Sequence, residues 1–221
     1  MILDKLLAIV APHNCITCGK EGSLLCSNCL PCAAITKRSS CFLCNRLTDN
    51  WHTCTACRNK TKAAGVIVGS HYEGAIKKLI LALKYKNTVA AAETIAQLLV
   101  DVFEKDKFDF ITAAPPSSQR LRQRGYNQAQ LIAKAIGKRS RLMYLPTMSR
   151  LGNSRQVGTN RRQRIAQMQG RMYVTKPKLV AGARVLVVDD VVTTGATVSE
   201  AARALKAAGA KSVWGLALAK H

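Results

Sequence analysis

An α/β fold, a parallel sheet with flanking helices preceded by a small cysteine-rich module, is predicted by three observations. All nine cysteines fall between Cys15 and Cys57, and none occurs after Cys57, which marks a module boundary. The stretch ARVLVV (183–188) is a β-branched run of the kind found in a central parallel strand covered on both faces. Around it, strand-like and helix-like segments alternate from Gly65 onward. With 221 residues, 48% hydrophobic and 21% charged, the chain has a globular composition, which excludes a disordered or fibrous protein.

Taken in order, MILDKLLAIV (1–10) is apolar but interrupted by Asp4 and Lys5, with no small-residue cleavage site before Cys15, so a short packing helix is expected rather than a targeting signal. No apolar run approaches the roughly 20 residues needed to cross a bilayer. An intracellular, cytoplasmic chain is therefore expected, where clustered cysteines favour metal chemistry over a disulfide framework.

Eight cysteines form four CxxC pairs: Cys15 with Cys18, Cys26 with Cys29, Cys41 with Cys44, and Cys54 with Cys57. Two pairs supply the four thiolates of a tetrahedral structural Zn²⁺, so two zinc ions are expected in a double zinc ribbon. Sequential pairing has the lower closure entropy; a cross-braced pairing stays open. Cys32 is expected to be a spare buried thiol, and His13 and His52 are weaker substitutes for a ligand. Residues 1–62 are too few to bury a stable core unaided, so the metal acts as a folding clamp. The expected division is a double zinc ribbon over 1–62 and an α/β domain over 63–221.

In the second domain GVIVGSHY (65–72) reads as a strand, and Ile76, Leu79, Ile80 and Leu83 recur at helical spacing. A further helix is expected over Thr88–Val102. FDFITAAPPSS is a buried strand stopped by Pro115 and Pro116. Residues Asn127–Ile136 look helical, RLMYLPTM (141–148) looks like a strand, and Ser149–Gln169, polar and basic, is a candidate mobile loop. ARVLVV, the helix SEAARALKAAG and the strand SVWGLALA complete a βαβ unit.

The formal net charge is +22, from 34 basic and 12 acidic residues, and filling both zinc sites with eight thiolates and two ions lowers it to +18. The excess is local: residues 110–188 hold 16 basic residues and no acidic one. Such a stretch points to a polyanionic partner, with nucleic acid leading, and arginine suits bidentate phosphate contact.

The most specific chemistry lies in VLVVDDVVTTGAT (185–197). Thr193, Thr194, Gly195 and Thr197 form a loop opening a helix, a phosphate cradle of hydroxyls and backbone N–H groups. Asp189 and Asp190, at the strand end, suit sugar hydroxyls or Mg²⁺. Together they describe a ribose phosphate site at the carboxyl edge of a parallel sheet. A phosphorelay receiver is excluded because Glu200 is the sole acid after Asp190, and neither a Walker A loop nor a GxGxxG fingerprint is present.

This motif resembles the phosphoribosyl pyrophosphate (PRPP) signature of type I phosphoribosyltransferases. The paired CxxC motifs, HYEGAIKKLILALKYK, RLRQRGYNQAQLIA and VLVVDDVVTTGAT together resemble the ComF family of competence proteins, which join a double zinc ribbon to a type I phosphoribosyltransferase-like sheet. The resemblance implies that Asp189 and Asp190 are the catalytic acids on the ribose hydroxyls of PRPP. It places the 5′-phosphate on Thr193, Thr194, Gly195, Ala196 and Thr197, counts Val192 among the PRPP-binding residues, and puts pyrophosphate on the turn at Ala113, Ala114 and Pro115, with Mg²⁺ as cofactor. It also implies a role in natural transformation: DNA uptake, single-stranded DNA handled in the cytoplasm, and a competence helicase as partner. Arg120, Arg122, Arg124, Arg155, Arg161, Arg162 and Arg164 are then the nucleic-acid contacts, with Tyr126, Tyr144 and Tyr173 as candidate base stackers. The alternative is an active phosphoribosyltransferase serving an unidentified acceptor. Two positions depart from the family pattern, Ala113 where proline is usual and Gln167 where asparagine is usual.

Overall fold

The computed structural model describes residues 13–33, 35–36, 38–85, 89–152 and 170–221. A four-stranded parallel sheet has the order β1 (Gly65–His71), β6 (Ser212–Lys220), β5 (Arg184–Val192), β2 (Phe110–Ala113). The central position of β5 follows from its composition. Leu186 and Val188 enter the core on one face, while Val185 and Val187 enter it on the other, so residues 185–188 are covered on both faces.

One face carries α1 (Gly74–Tyr85), α2 (Val89–Leu99) and α4 (Gln128–Ser140). Their buried sides are the apolar positions at helical spacing: Ile76, Leu79, Ile80 and Leu83; Ala92, Ile95 and Leu99; Ile132 and Ile136. The opposite face carries α6 (Ala196–Ala207) through Val198, Ala201, Ala202 and Leu205. A short helix α3 (Ser118–Arg124) lies between β2 and α4, and a one-turn α5 (Pro177–Val180) precedes β5. The alternation of strand and helix is thus as the pattern predicted.

The cysteine-rich segment pads the sheet edge. The Thr36 amide donates to the Gly69 carbonyl at 2.7 Å, and His52 bridges Gly65, so β1 does not present a bare edge. Gly65 has no room for a side chain: a Cβ there would lie 2.3 Å from the Trp51 carbonyl oxygen and 2.5 Å from the Trp214 ring. Leu24, Leu25 and Ala33 share one apolar cluster with α1 and α2, while Phe42 and Ala63 share the other with β5 and α6.

Several expectations need correction. RLMYLPTM is not one strand: it forms a single parallel bridge, Ile111 to Tyr144, Pro146 interrupts it, and only its last residue, Met148, enters a further strand. Ser149 and Arg150 are not loop but part of β3 (Met148–Arg150), which pairs antiparallel with β4 (Met172–Val174). Strand β5 does not stop at the acid pair but runs on to Val192. The expected N-terminal helix and residues 153–169 of the candidate mobile loop lie outside the described residues. Among the described residues, no helix is long and apolar enough to cross a membrane.

Candidate functional site

The eight paired cysteines assemble into two sets, Cys15, Cys18, Cys26 and Cys29, and Cys41, Cys44, Cys54 and Cys57. Pairing is therefore sequential. Within each set all four sulfurs lie within 4.8 Å of one another, and Cys18–Cys26 and Cys44–Cys54 are separated by 3.7 and 3.6 Å. A tetrahedral ion with metal–sulfur bonds of about 2.3 Å requires sulfur–sulfur edges of about 3.8 Å, so both sets fit one. Backbone hydrogen bonds from Cys26 and Cys18 bring Cys15 down to about 6, whereas the side-chain hydrogen bond with Cys18, then burial, pushes Cys29 up to about 12. In the second set burial raises Cys41, yet backbone hydrogen bonds from Cys54, Leu43 and Cys44 prevail and bring it to about 6. Burial and the Cys44 side chain push Cys57 to about 12. Each set thus holds an easily ionised thiol beside one that gives up its proton only to a cation. Cys32 is exposed at the end of a short 3₁₀ turn and belongs to neither set, contrary to the expected buried thiol. His52 instead stacks edge-on against Trp214 at 4.7 Å.

The second site opens where β2 stops and β5 continues. Ala113 pairs with Val188, the Ala114 amide makes a last bond to the Val188 carbonyl, and beyond that point β5 has no strand on its β2 side among the described residues. Asp189 and Asp190 fall in this gap and line a cleft open to solvent. Ala114, Pro115 and Pro116 form one wall, Arg120 and Arg124 another, and Thr197 stands at the α6 end. Asn127 fixes the wall by donating to the Ala114 carbonyl at 3.3 Å while its side-chain oxygen caps α4 at the Gln130 amide.

The two carboxylates are unequal. Asp190 Oδ2 lies 3.0 Å from Lys84 Nζ at the C-terminal end of α1, and the other carboxylate oxygen accepts from the Val191 amide. Asp189 accepts from the Asp190 amide at 2.9 Å. Burial, then the Asp190 charge, pushes Asp189 up to about 7 despite Arg120 and Lys84. One proton can thus be exchanged near neutrality.

Beside the acids, the turn at Thr193–Gly195 leads into α6. The Thr194 hydroxyl accepts from the Ala196 amide, and Gly195 adopts φ 75°, where a side chain would be strained. A Cβ at Gly195 would also lie 2.5 Å from the Phe42 ring, which projects from the Cys41–Cys44 knuckle. Phe42 is 1% exposed, and Lys220 Nζ holds the knuckle by donating to the Cys41 carbonyl at 3.1 Å. The floor of the loop is therefore part of the cysteine module, a relation no local motif signals.

Of the expected site residues, Asp189, Asp190, Ala114, Pro115, Arg120, Arg124 and Thr197 are brought together around the cleft. Arg120 and Arg124 share a face of α3 by their spacing of four, while Arg122 is exposed and outside the cleft lining. Val192 is buried in the core and is not part of the cleft lining. Arg155, Arg161, Arg162 and Arg164 lie outside the described residues. Sequence reasoning missed Lys84, whose place at a helix end carries no signal of an acidic partner. It also assigned no role to Asn127 and Gln128, which line the cleft.

Residues 121–220 match the Phosphoribosyl transferase domain family. The chain is similar to competence protein F of Haemophilus influenzae, 30% identical over 169 residues, covering 70% of this chain and 72% of that one. It is also similar to competence protein ComFC of Streptococcus pneumoniae, 26% identical and covering 87% and 86% of the two chains. With ComFC of Bacillus subtilis it is 27% identical over 61% of this chain, and the match spans only 55% of that relative. Among solved structures it resembles the glutamine PRPP amidotransferase of Bacillus subtilis (TM-score 0.44, 15% identity, 62% of this chain and 30% of that one). An adenine phosphoribosyltransferase of Thermoanaerobacter pseudethanolicus is likewise similar (TM-score 0.40, 18% identity, 62% and 83%).

Proposed function

Because the chain belongs to the ComF family of competence proteins, we propose that it handles single-stranded DNA in the cytoplasm during natural transformation and binds PRPP in the cleft beside Asp189 and Asp190. The observation that carries this reading is the meeting of both charge signs in one cleft: an acid pair and the N-terminus of α6 opposite Arg120 and Arg124. Carboxylates orient sugar hydroxyls, helix N-terminal amides hold a phosphate, and arginines hold a second anionic group. The relatives named competence proteins support the biological role, and the 16 basic residues between 110 and 188 support a polyanionic strand as partner. The proposed division is 1–62 for the double zinc ribbon and 63–221 for the phosphoribosyltransferase-like domain, with Zn²⁺ in both four-cysteine sets.

The acid pair and the arginines that line the same cleft also favour a second reading, transferase turnover. Asp189 and Asp190 would help to hold Mg²⁺, which when bound would supply positive charge against departing pyrophosphate. Asp190, held by Lys84, would orient the ribose; Asp189 would accept a hydroxyl hydrogen bond; Arg120 and Arg124 would hold the pyrophosphate. Pyrophosphate release from PRPP in the presence of candidate acceptors tests it.

The primary test measures PRPP and single-stranded DNA affinities on one sample, separately and in competition. Asp189→Asn with Asp190→Asn should abolish PRPP binding and leave the fold intact; unchanged affinity by calorimetry overturns the pocket. DNA binding should weaken steeply with salt and fall when Arg161, Arg162 and Arg164 are neutralised.

A further inference from the structure

Three consecutive residues at the C-terminal end of α1 are tied to the cleft. The Leu83 carbonyl accepts from the Tyr126 hydroxyl, Lys84 pairs with Asp190, and the Arg124 guanidinium lies 5.8 Å from the centre of the Tyr85 ring. Arg124 is itself fixed, donating to Gln128 Oε1 at 3.2 Å, and lines the cleft. The Tyr85 side chain is therefore presented at the mouth by a pinned backbone, yet it is 72% exposed. It is the most exposed of the chain's five tyrosines. Two of the expected stacking residues are otherwise engaged: Tyr126 is committed to Leu83, and Tyr144 is only partly accessible beneath Lys134.

We propose that Tyr85, with Arg124 beside its ring, is a stacking platform for one nucleobase of single-stranded DNA, set at the rim of the cleft. This rests on the reading of the chain as a single-stranded-DNA protein. An aromatic face accepts any base, and an adjacent guanidinium adds attraction to both the ring and the strand's phosphates. Arg120 and the exposed Arg122 on the same helix as Arg124 supply positive charge along the path of the backbone. The platform accounts for a large aromatic ring left in solvent beside a charged cleft, and gives the strand a contact that depends on bases rather than on charge.

The test compares oligo-dT with an abasic oligomer of equal length, which keeps every phosphate and removes every base. Wild-type protein should bind oligo-dT more tightly, and Tyr85→Ala should lose about 5- to 150-fold in affinity for oligo-dT, the effect of one lost stacking contact, while its affinity for the abasic strand stays near wild type. Tyr85→Phe should retain the preference, and Tyr85→Trp should show fluorescence quenching by oligo-dT beyond that of the wild type's own tryptophans. Thermal melting checks the fold, which loss of an exposed side chain should scarcely move. Wild-type binding to oligo-dT with an unchanged dT-to-abasic ratio in Tyr85→Ala overturns the platform alone. No wild-type binding to either strand overturns the platform together with the DNA reading.

Discussion

The contact between Phe42 and Gly195 gives the sharpest quantitative expectation. Phe42 is 1% exposed, so Phe42→Ala should cost about 3–5 kcal/mol through lost transfer energy and the cavity it leaves. Gly195→Ala meets two obstacles. Its φ of 75° costs an L residue about 1–2 kcal/mol, and the new Cβ would sit 2.5 Å from the Phe42 ring, forcing an overpacking rearrangement of about 1–3 kcal/mol. Only the second obstacle disappears when Phe42 is already alanine. The double variant should therefore be less destabilised than the sum of the singles by about 1–3 kcal/mol. Denaturant unfolding at fixed excess Zn²⁺ measures this, with zinc content determined for each variant. Additivity within about 0.5 kcal/mol would refute the idea that the knuckle rests on the loop in solution.

Two further outcomes follow from the titrating groups. Asp189 sits at about 7 in the folded chain against 3.8 ordinarily, so its proton stabilises the fold; that contribution is complete below the ordinary value and is lost as pH rises through 7. Asp189→Asn should consequently become more stable relative to wild type on going from pH 5 to pH 8, by about 1–3 kcal/mol, since the loss runs at about 1.4 kcal/mol per pH unit up to about 7; equal stability differences at both pH values would contradict the assignment. Cys29 and Cys57, each pushed to about 12, are protonated in metal-free protein at pH 8, so zinc loading should release at least those two protons. Calorimetry of zinc binding in buffers of different ionisation enthalpy counts them, and a count near zero would rule out thiolate ligation at these positions.

The parts of the molecule legible in the sequence were those whose signal is local or strictly spaced. The run ARVLVV (183–188) announced a doubly covered strand, and the CxxC spacings announced two tetrahedral sets. Helix α3 escaped notice because SQRLRQR has no apolar stripe, although Ser117, which caps the Arg120 amide at 3.3 Å, and the left-handed Gly125 were available as start and stop signals. Strands β3 and β4 are too short for a period to show, and Met148–Arg150 meets Met172–Val174 only after a long excursion of the chain. Lys84 and Tyr85 read as the polar end of an amphipathic helix; only folding brings them to Asp190 and Arg124. Phe42 reads as a ribbon residue, and its role beneath Gly195 depends on a contact between the cysteine module and the far end of the sheet domain's sequence.

On the proposed reading, the acid pair decides what the cleft accepts. Surrounded by Lys84, Arg120 and Arg124, Asp189 would be expected below its ordinary value if nearby cations governed it; instead it lies at about 7. Burial and repulsion from Asp190 therefore outweigh the cations, and the position favours any ligand that gives the carboxylate a hydrogen-bond donor. A bare polyanion such as pyrophosphate meets the arginines favourably but brings its charge against Asp189 and Asp190. A ribose phosphate places hydroxyls against the acids and phosphate groups against the arginines and the α6 amides, matching both signs at once. A strand of DNA lacks the 2′-hydroxyl, so on the proposed reading it gains more from Arg120, Arg122 and the Tyr85 ring at the rim than from the acids within. On that reading the two ligands share arginines but not the floor of the cleft, so saturating PRPP should weaken single-stranded DNA binding to the wild type without abolishing it, and the acid-pair variant, expected to lose PRPP, should keep its DNA affinity.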